Sequence, residues 1–162
     1  MTKILQAETE AEIDAARELF RELEAWLGLD LCFQGFKAEL ATLPGKYAPP
    51  DGRLLLAYTD DKLAGCIAMR KLEEGVCEMK RLFVRDEFRG SRIGVALIEQ
   101  LIADAREVGY SKVRLDTYPP KMGKAVKLYE SHGFCEIPMY YDNPYEGVLF
   151  MELVLYPKKI SD

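Results

Sequence analysis

The sequence predicts an α+β (mixed α/β) domain, a mostly antiparallel sheet flanked by helices. Three observations carry this reading. Apolar residues first recur at helical spacing. The period drops to two across the middle of the chain. The last third then alternates strand, helix, strand, helix and strand. The 162 residues are 49% hydrophobic, enough to fill one core. Neither an internal repeat nor a low-complexity linker divides them, so residues 1–162 are expected to form a single domain.

Lys3 to Leu5 read as a first strand. Thr9 is a helix N-cap, and Glu12 three positions on completes a capping box. Ile13, Ala16, Leu19, Phe20, Leu23 and Leu27 then trace one helical face, which Gly28 ends. A second helix is expected from Phe33 to Leu43, with Phe36 and Leu40 one turn apart. Pro44 to Gly52 combine glycine, proline and aspartate, the composition of an exposed loop.

Arg53 to Tyr58 and Lys62 to Arg70 form a hairpin across Thr59-Asp60-Asp61. After a turn at Glu73-Glu74-Gly75, Cys77 to Val84 add a third strand to this meander. A long helix starts near Ile93 and stops at Gly109. Lys112 to Thr117 make a short strand, with Val113 and Leu115 alternating. Gly123 to Ser131 make a helix closed by Gly133. Phe134 to Ile137 and Val148 to Tyr156 are the closing strands, joined through YYDNPYEG.

Composition narrows the function classes. The net charge of −5 lacks the positive field of a general nucleic-acid binder. No apolar run approaches the roughly 20 residues that span a bilayer, and the N-terminus turns acidic and amphipathic at once instead of forming a secretory leader. A soluble, cytoplasmic protein without membrane or nucleic-acid partners is expected. Cys32, Cys66, Cys77 and Cys135 form no Cys-x-x-Cys, and there is a single histidine, so no metal site is expected. The cysteines read as reduced packing residues.

Leu82 to Tyr110, LFVRDEFRGSRIGVALIEQLIADAREVGY, is the most informative stretch. A strand ends, a loop with Arg85, Arg89, Arg92, Gly90 and Gly94 follows, and a long helix begins. The first amides of a helix have no partner within it, and the helix dipole favours an anion there. Read from residues alone, the loop is either a phosphate cradle or a solvated basic turn. It lacks the Gly-Lys-Ser/Thr string of a nucleoside-triphosphate loop, and its glycines have the wrong spacing for a dinucleotide fingerprint.

RGSRIG, Arg89 to Gly94, resembles the Arg/Gln-x-x-Gly-x-Gly/Ala motif of the GNAT family, the Gcn5-related N-acetyltransferases. LFVRDEF resembles the family's lead-in, and AVKLYESHGF, Ala125 to Phe134, its late helix and following strand. The resemblance implies a central, mostly antiparallel sheet that splays between Cys77–Val84 and Val113–Thr117. It implies acetyl-CoA as the acyl donor. Its diphosphate would meet the backbone of Arg89, Gly90, Ser91, Arg92, Ile93 and Gly94. Its pantetheine arm would run along Leu82, Phe83 and Val84. The sequence departs from the family pattern at two places. Arg92 replaces a glycine, which suits a backbone contact if its φ is negative, and Met122 stands where relatives often carry asparagine.

The implied chemistry is direct acetyl transfer to a primary amine. Tyr129 matches the tyrosine that protonates the departing sulfur in relatives. Its competing role is core packing. A backbone donor near Leu82 would hold the oxyanion. Glu78, placed by strand parity on the same face as Leu82, is the candidate base, and its competing role is a salt bridge within the strand. Asp116 is a weaker candidate. His132, next to the helix-ending Gly133, is expected to serve the helix terminus. Trp26, Asp30, Phe33, Phe36, Glu39, Tyr140, Tyr141 and Tyr145 either line an acceptor pocket or pack the core. The expected acceptor is a small-molecule amine. A protein or peptide amine and a non-catalytic acyl-CoA-binding role are the alternatives, and the terminal strands leave a homodimer open.

Overall fold

A computed structural model describes residues 1–31 and 35–155 of the chain. The expected positions Cys32, Phe33 and Tyr156 lie outside them. The elements run β1 (Thr2–Gln6), α1 (Glu10–Leu27), α2 (Phe36–Thr42), β2 (Arg53–Thr59), β3 (Lys62–Glu73), β4 (Val76–Val84), α3 (Ile93–Val108), β5 (Lys112–Thr117), α4 (Pro119–Ser131), β6 (Cys135–Ile137) and β7 (Leu149–Val154).

Local chemistry fixes the helices as the spacing predicts. Thr9 and Glu12 form the reciprocal capping box of α1, and Gly28 closes it in the left-handed conformation. All six residues of the predicted apolar face are buried. Pro119 and Pro120 occupy the first turn of α4, where missing amides cost nothing. Met122 breaks the helical dihedrals, so the regular part starts at Gly123 as expected. The Pro44 to Gly52 connection is less exposed than its composition predicts. It holds a 3-10 turn, Gly45–Tyr47, whose tyrosine is buried edge-on against Phe20.

The strands form one sheet in the order β1-β2-β3-β4-β5-β7-β6. Every pairing is antiparallel except β4 with β5. One face packs on α3 and α4 through Leu97, Leu101 and Tyr129. The other packs on α1 and α2 through Leu19, Phe20 and Phe36.

Two irregularities create the site. β4 and β5 pair only from Val76↔Lys112 to Glu78↔Arg114, and the strands then separate. The second lies in the middle of β4. The register with β3 moves from Cys66↔Phe83 to Ala68↔Lys80, so β4 carries one extra residue there. Arg81 absorbs it with φ 63°. The bulge overturns the simple parity expected for this strand. Leu82 and Val84 pack on the same core as Cys77 and Met79. Phe83 packs on the opposite one. Glu78 and Leu82 therefore face opposite sides of the sheet, because one inserted residue inverts alternation beyond it.

Candidate active site

The loop from β4 to α3 is shaped by its main chain. Gly90 (φ 87°) and Arg92 (φ 65°) both take left-handed dihedrals, and Arg92 is the N-cap of α3. No side chain caps this helix. Its first-turn amides are thus left to solvent or to a ligand. The condition of a negative φ at Arg92 is not met. The left-handed backbone that glycine supplies elsewhere is kept, at a cost of about 1–2 kcal/mol for a residue with a Cβ. A Cβ placed on Gly94 would meet only ordinary contacts, at 3.9 Å from Leu128 and Val84. Packing within the protein does not require a glycine there.

Two of the three arginines of this loop are engaged by the protein itself. Arg85 points to α1, with Glu22 at 2.7 Å and Glu18 at 3.2 Å. Arg89 donates to the Val84 carbonyl at 3.0 Å, and its guanidinium lies 4.7 Å over the Trp26 ring. Acidic side chains on α1 and an aromatic face compete for these cations, and sequence spacing cannot show that competition.

Where β4 and β5 part, a cleft opens. Lys80, Arg81 and Leu82 line it from β4, and Leu115, Asp116 and Thr117 from β5. Leu23 and Leu27 of α1 form an apolar wall, and Tyr129 of α4 reaches it from the other face of the sheet. Tyr129 is only 4% exposed and packs tilted against Phe134, with ring centroids 5.8 Å apart. Burial, with Asp116 adding to it, pushes its phenol up, so it is protonated at neutral pH.

A polar network lies on the α2 side. Glu78, 2% exposed, accepts from Arg70 at 3.0 Å and from the Tyr140 hydroxyl at 2.5 Å. Lys80 is 3.7 Å from the same carboxylate. Burial alone would raise the Glu78 carboxyl. Lys80, Tyr140 and Arg70 together outweigh it and hold the group below its ordinary value. Arg81 makes a two-pronged contact to Glu39, at 2.8 and 2.9 Å, above the Phe36 ring. Asp116 accepts from the Tyr141 hydroxyl. Its carboxyl is pushed up, by burial first, against the pull of Lys80.

The connection from β6 to β7 crosses the mouth of the cleft. Asn143 donates to the Tyr141 oxygen at 2.9 Å and accepts from the Tyr145 amide at 2.9 Å. The Tyr145 hydroxyl accepts from the Asp30 amide at 2.7 Å and donates to the Asp30 carbonyl at 3.0 Å. This strap therefore ties the β5 side of the cleft to the segment after α1.

The profile of the acetyltransferase (GNAT) family matches residues 13–134. The chain belongs to the GNAT family. An uncharacterised N-acetyltransferase of Schizosaccharomyces pombe is 40% identical over 88% of this chain and 88% of its own. One from Dictyostelium discoideum is 34% identical over 89% and 95%. Among solved structures, a GNAT acetyltransferase of Staphylococcus aureus superposes with a TM-score of 0.79, at 20% identity, over 96% of this chain and 100% of the other. The protein is a GNAT acetyltransferase. No helix among the described residues is long and apolar enough to cross a membrane.

Within this GNAT fold the expected site residues separate into groups. Leu82, Phe83 and Val84 and the turn from Arg89 to Gly94 run continuously from the cleft to the start of α3. Tyr129 joins them at the cleft, whereas Glu78 belongs to the network behind it. Of the suggested acceptor residues, Tyr145 lines the cleft, and Trp26 instead carries Arg89. Phe36 is a core residue beneath Arg81. His132 bonds the Leu128 carbonyl at 2.9 Å near the end of α4, in keeping with a role at the helix terminus. Cys66 and Cys77 are buried packing residues, while Cys135 is exposed. Sequence reasoning missed Lys80, Asn143 and the α1 leucines. The helical period marked Leu23 and Leu27 as core, and they serve both core and cleft.

Proposed function

We propose that the protein transfers the acetyl group of acetyl-CoA directly to the primary amine of a small molecule. One observation carries the reading: β4 leaves β5 after Glu78, Tyr129 lines the cleft so opened, and the uncapped first turn of α3 lies beside Val84 at the end of β4. Acetyl-CoA supplies an activated thioester. The amides of Arg89, Gly90, Ser91, Arg92, Ile93 and Gly94 would receive its diphosphate. The main chain of Leu82, Phe83 and Val84, freed from β5, would bond the pantetheine arm as an added strand does. Tyr129 would give its proton to the departing sulfur. A protonated phenol is suited to that task. Glu78 is already committed to Arg70 and Tyr140. We assign it the positioning of the β4 cations in place of base catalysis.

A compact acceptor is favoured because the strap from Asn143 to Tyr145 is bonded across the mouth. A polypeptide needs an open groove there. The test is a panel of amines, including amino acids, polyamines, aminoglycosides and a peptide, offered with acetyl-CoA. Thiol release must match a new acetylated product. Acetylation of a small amine is expected. Exclusive acetylation of the peptide would replace the acceptor class, and tight donor binding without any product would favour a binding domain.

A further inference from the structure

We propose that Asp116 is the general base that takes the proton from the attacking amine. The inference rests on the acetyl-transfer reading above. Three placements support it. Asp116 lies on β5 two residues past Arg114, in the splayed part where the strand has left β4. Its carboxylate lines the cleft together with Tyr129. The strap reaches it directly, through the Tyr141 hydroxyl.

The two faces of the sheet divide the proton work. Leu115, next to Asp116, packs on the α3 and α4 side with Tyr129. Alternation therefore turns Asp116 to the α2 side, where the strap and Lys80 lie. An amine entering beneath the strap meets Asp116, and the thiol leaves toward Tyr129. The charged and titratable groups facing Asp116 are Glu78, Lys80 and Arg81 of β4, Tyr140 and Tyr141 of the strap and Tyr129 of α4. Burial raises its carboxyl toward a value useful to a base, and Lys80 keeps the ionised form available. Glu78 is held the other way, below its ordinary value, and is the weaker proton acceptor.

The acceptor enters as a neutral amine, having left its ammonium proton in water. A bond forms between its nitrogen and the thioester carbonyl carbon, and an N–H proton passes to Asp116. The carbon–sulfur bond then breaks, and the Tyr129 hydroxyl gives its proton to the thiolate. The proton on Asp116 returns through water to the Tyr129 phenolate. Amide and free thiol leave, and both side chains are restored.

The experiment measures kcat against pH for wild type, Asp116→Asn, Asp116→Glu, Tyr141→Phe and Glu78→Gln, at saturating donor and acceptor. Melting temperature and donor affinity are recorded for each. Asp116→Asn should lose about 100-fold or more in kcat and its acid limb, with donor affinity within about threefold. Asp116→Glu should recover part of the rate and the limb. Tyr141→Phe removes a donor that stabilises ionised Asp116, so the acid limb should move to higher pH. That variant decides the matter if Asp116→Asn fails to fold. The proposal is overturned if Asp116→Asn keeps the acid limb, if Tyr141→Phe leaves the limb in place, or if Glu78→Gln alone abolishes it. A wild type that acetylates no amine refutes the functional reading instead.

Discussion

The two ends of the open seam between β4 and β5 are built differently. At the α3 end the main chain forms the site: left-handed turns at Gly90 and Arg92, an uncapped helix, and a strand edge released from its neighbour. At the acceptor end side chains form it. Asp116, Lys80 and Tyr141 come from three elements, and the strap bond between Asp30 and Tyr145 joins positions 115 apart. A backbone site tolerates changes of side chain that leave the dihedrals intact. A side-chain site fails when one atom is removed. Under the proposed function, the first end would suit a donor shared by a whole family, and the second would let acceptors differ.

The difference explains what was legible in the sequence. The capping box of α1, the strand at Lys112 to Thr117 and the helix start at Ile93 are local, and spacing alone predicts them. The loop from β4 to α3 was readable as a strand–turn–helix junction, but its residues alone left a phosphate cradle and a solvated basic turn open, and only the family resemblance chose between them. The acceptor end was not readable. One extra residue at Arg81 inverts the facing of Leu82, and no pattern in CEMKRLFV marks where it sits. The arginines of the donor loop illustrate the same limit. Their charge is plain in the sequence, but the Glu22 and Trp26 partners that occupy Arg85 and Arg89 lie more than 60 positions away.

The largest expected effect removes one atom where the two ends meet. Tyr129→Phe keeps the ring that packs against Phe134 and deletes only the hydroxyl. Loss of a general acid should lower kcat by about 100-fold or more. Donor affinity and melting temperature should move little, because the phenyl group still fills its place. Single-turnover kinetics with thiol detection reads this directly. A kcat within about twofold of wild type would leave Tyr129 a packing residue.

A smaller effect probes the donor end. In Gly94→Ala the added methyl has room within the protein, and alanine in the first turn of α3 is stabilising by about 0.5–1 kcal/mol relative to glycine. The fold should therefore be unharmed or firmer. If the diphosphate packs against this turn, the methyl stands in its path, and donor affinity should fall about tenfold, equivalent to roughly 1.4 kcal/mol. Calorimetric titration with acetyl-CoA checks the affinity, and thermal unfolding checks the fold. Equal affinity would place the diphosphate elsewhere.

The smallest effect separates backbone from charge at a single position. Arg92 holds a left-handed φ of 65°, a conformation about 1–2 kcal/mol easier for glycine. Glycine also loses more entropy on folding, by about 0.5–1 kcal/mol. Arg92→Gly should thus be more stable by about 0–1.5 kcal/mol, a rise of at most roughly 6 °C in Tm for a domain of this size. Affinity for acetyl-CoA reports the other contribution. A backbone-only site should keep its affinity within about twofold, at low and at high salt. If the guanidinium itself pairs with phosphate, affinity should drop severalfold at low salt, and the deficit should shrink as salt rises. A stabilised variant with unchanged, salt-independent affinity would mean that the chain retains a strained arginine where glycine serves the donor equally well. A salt-sensitive loss would mean that the strain persists because the charge compensates for it.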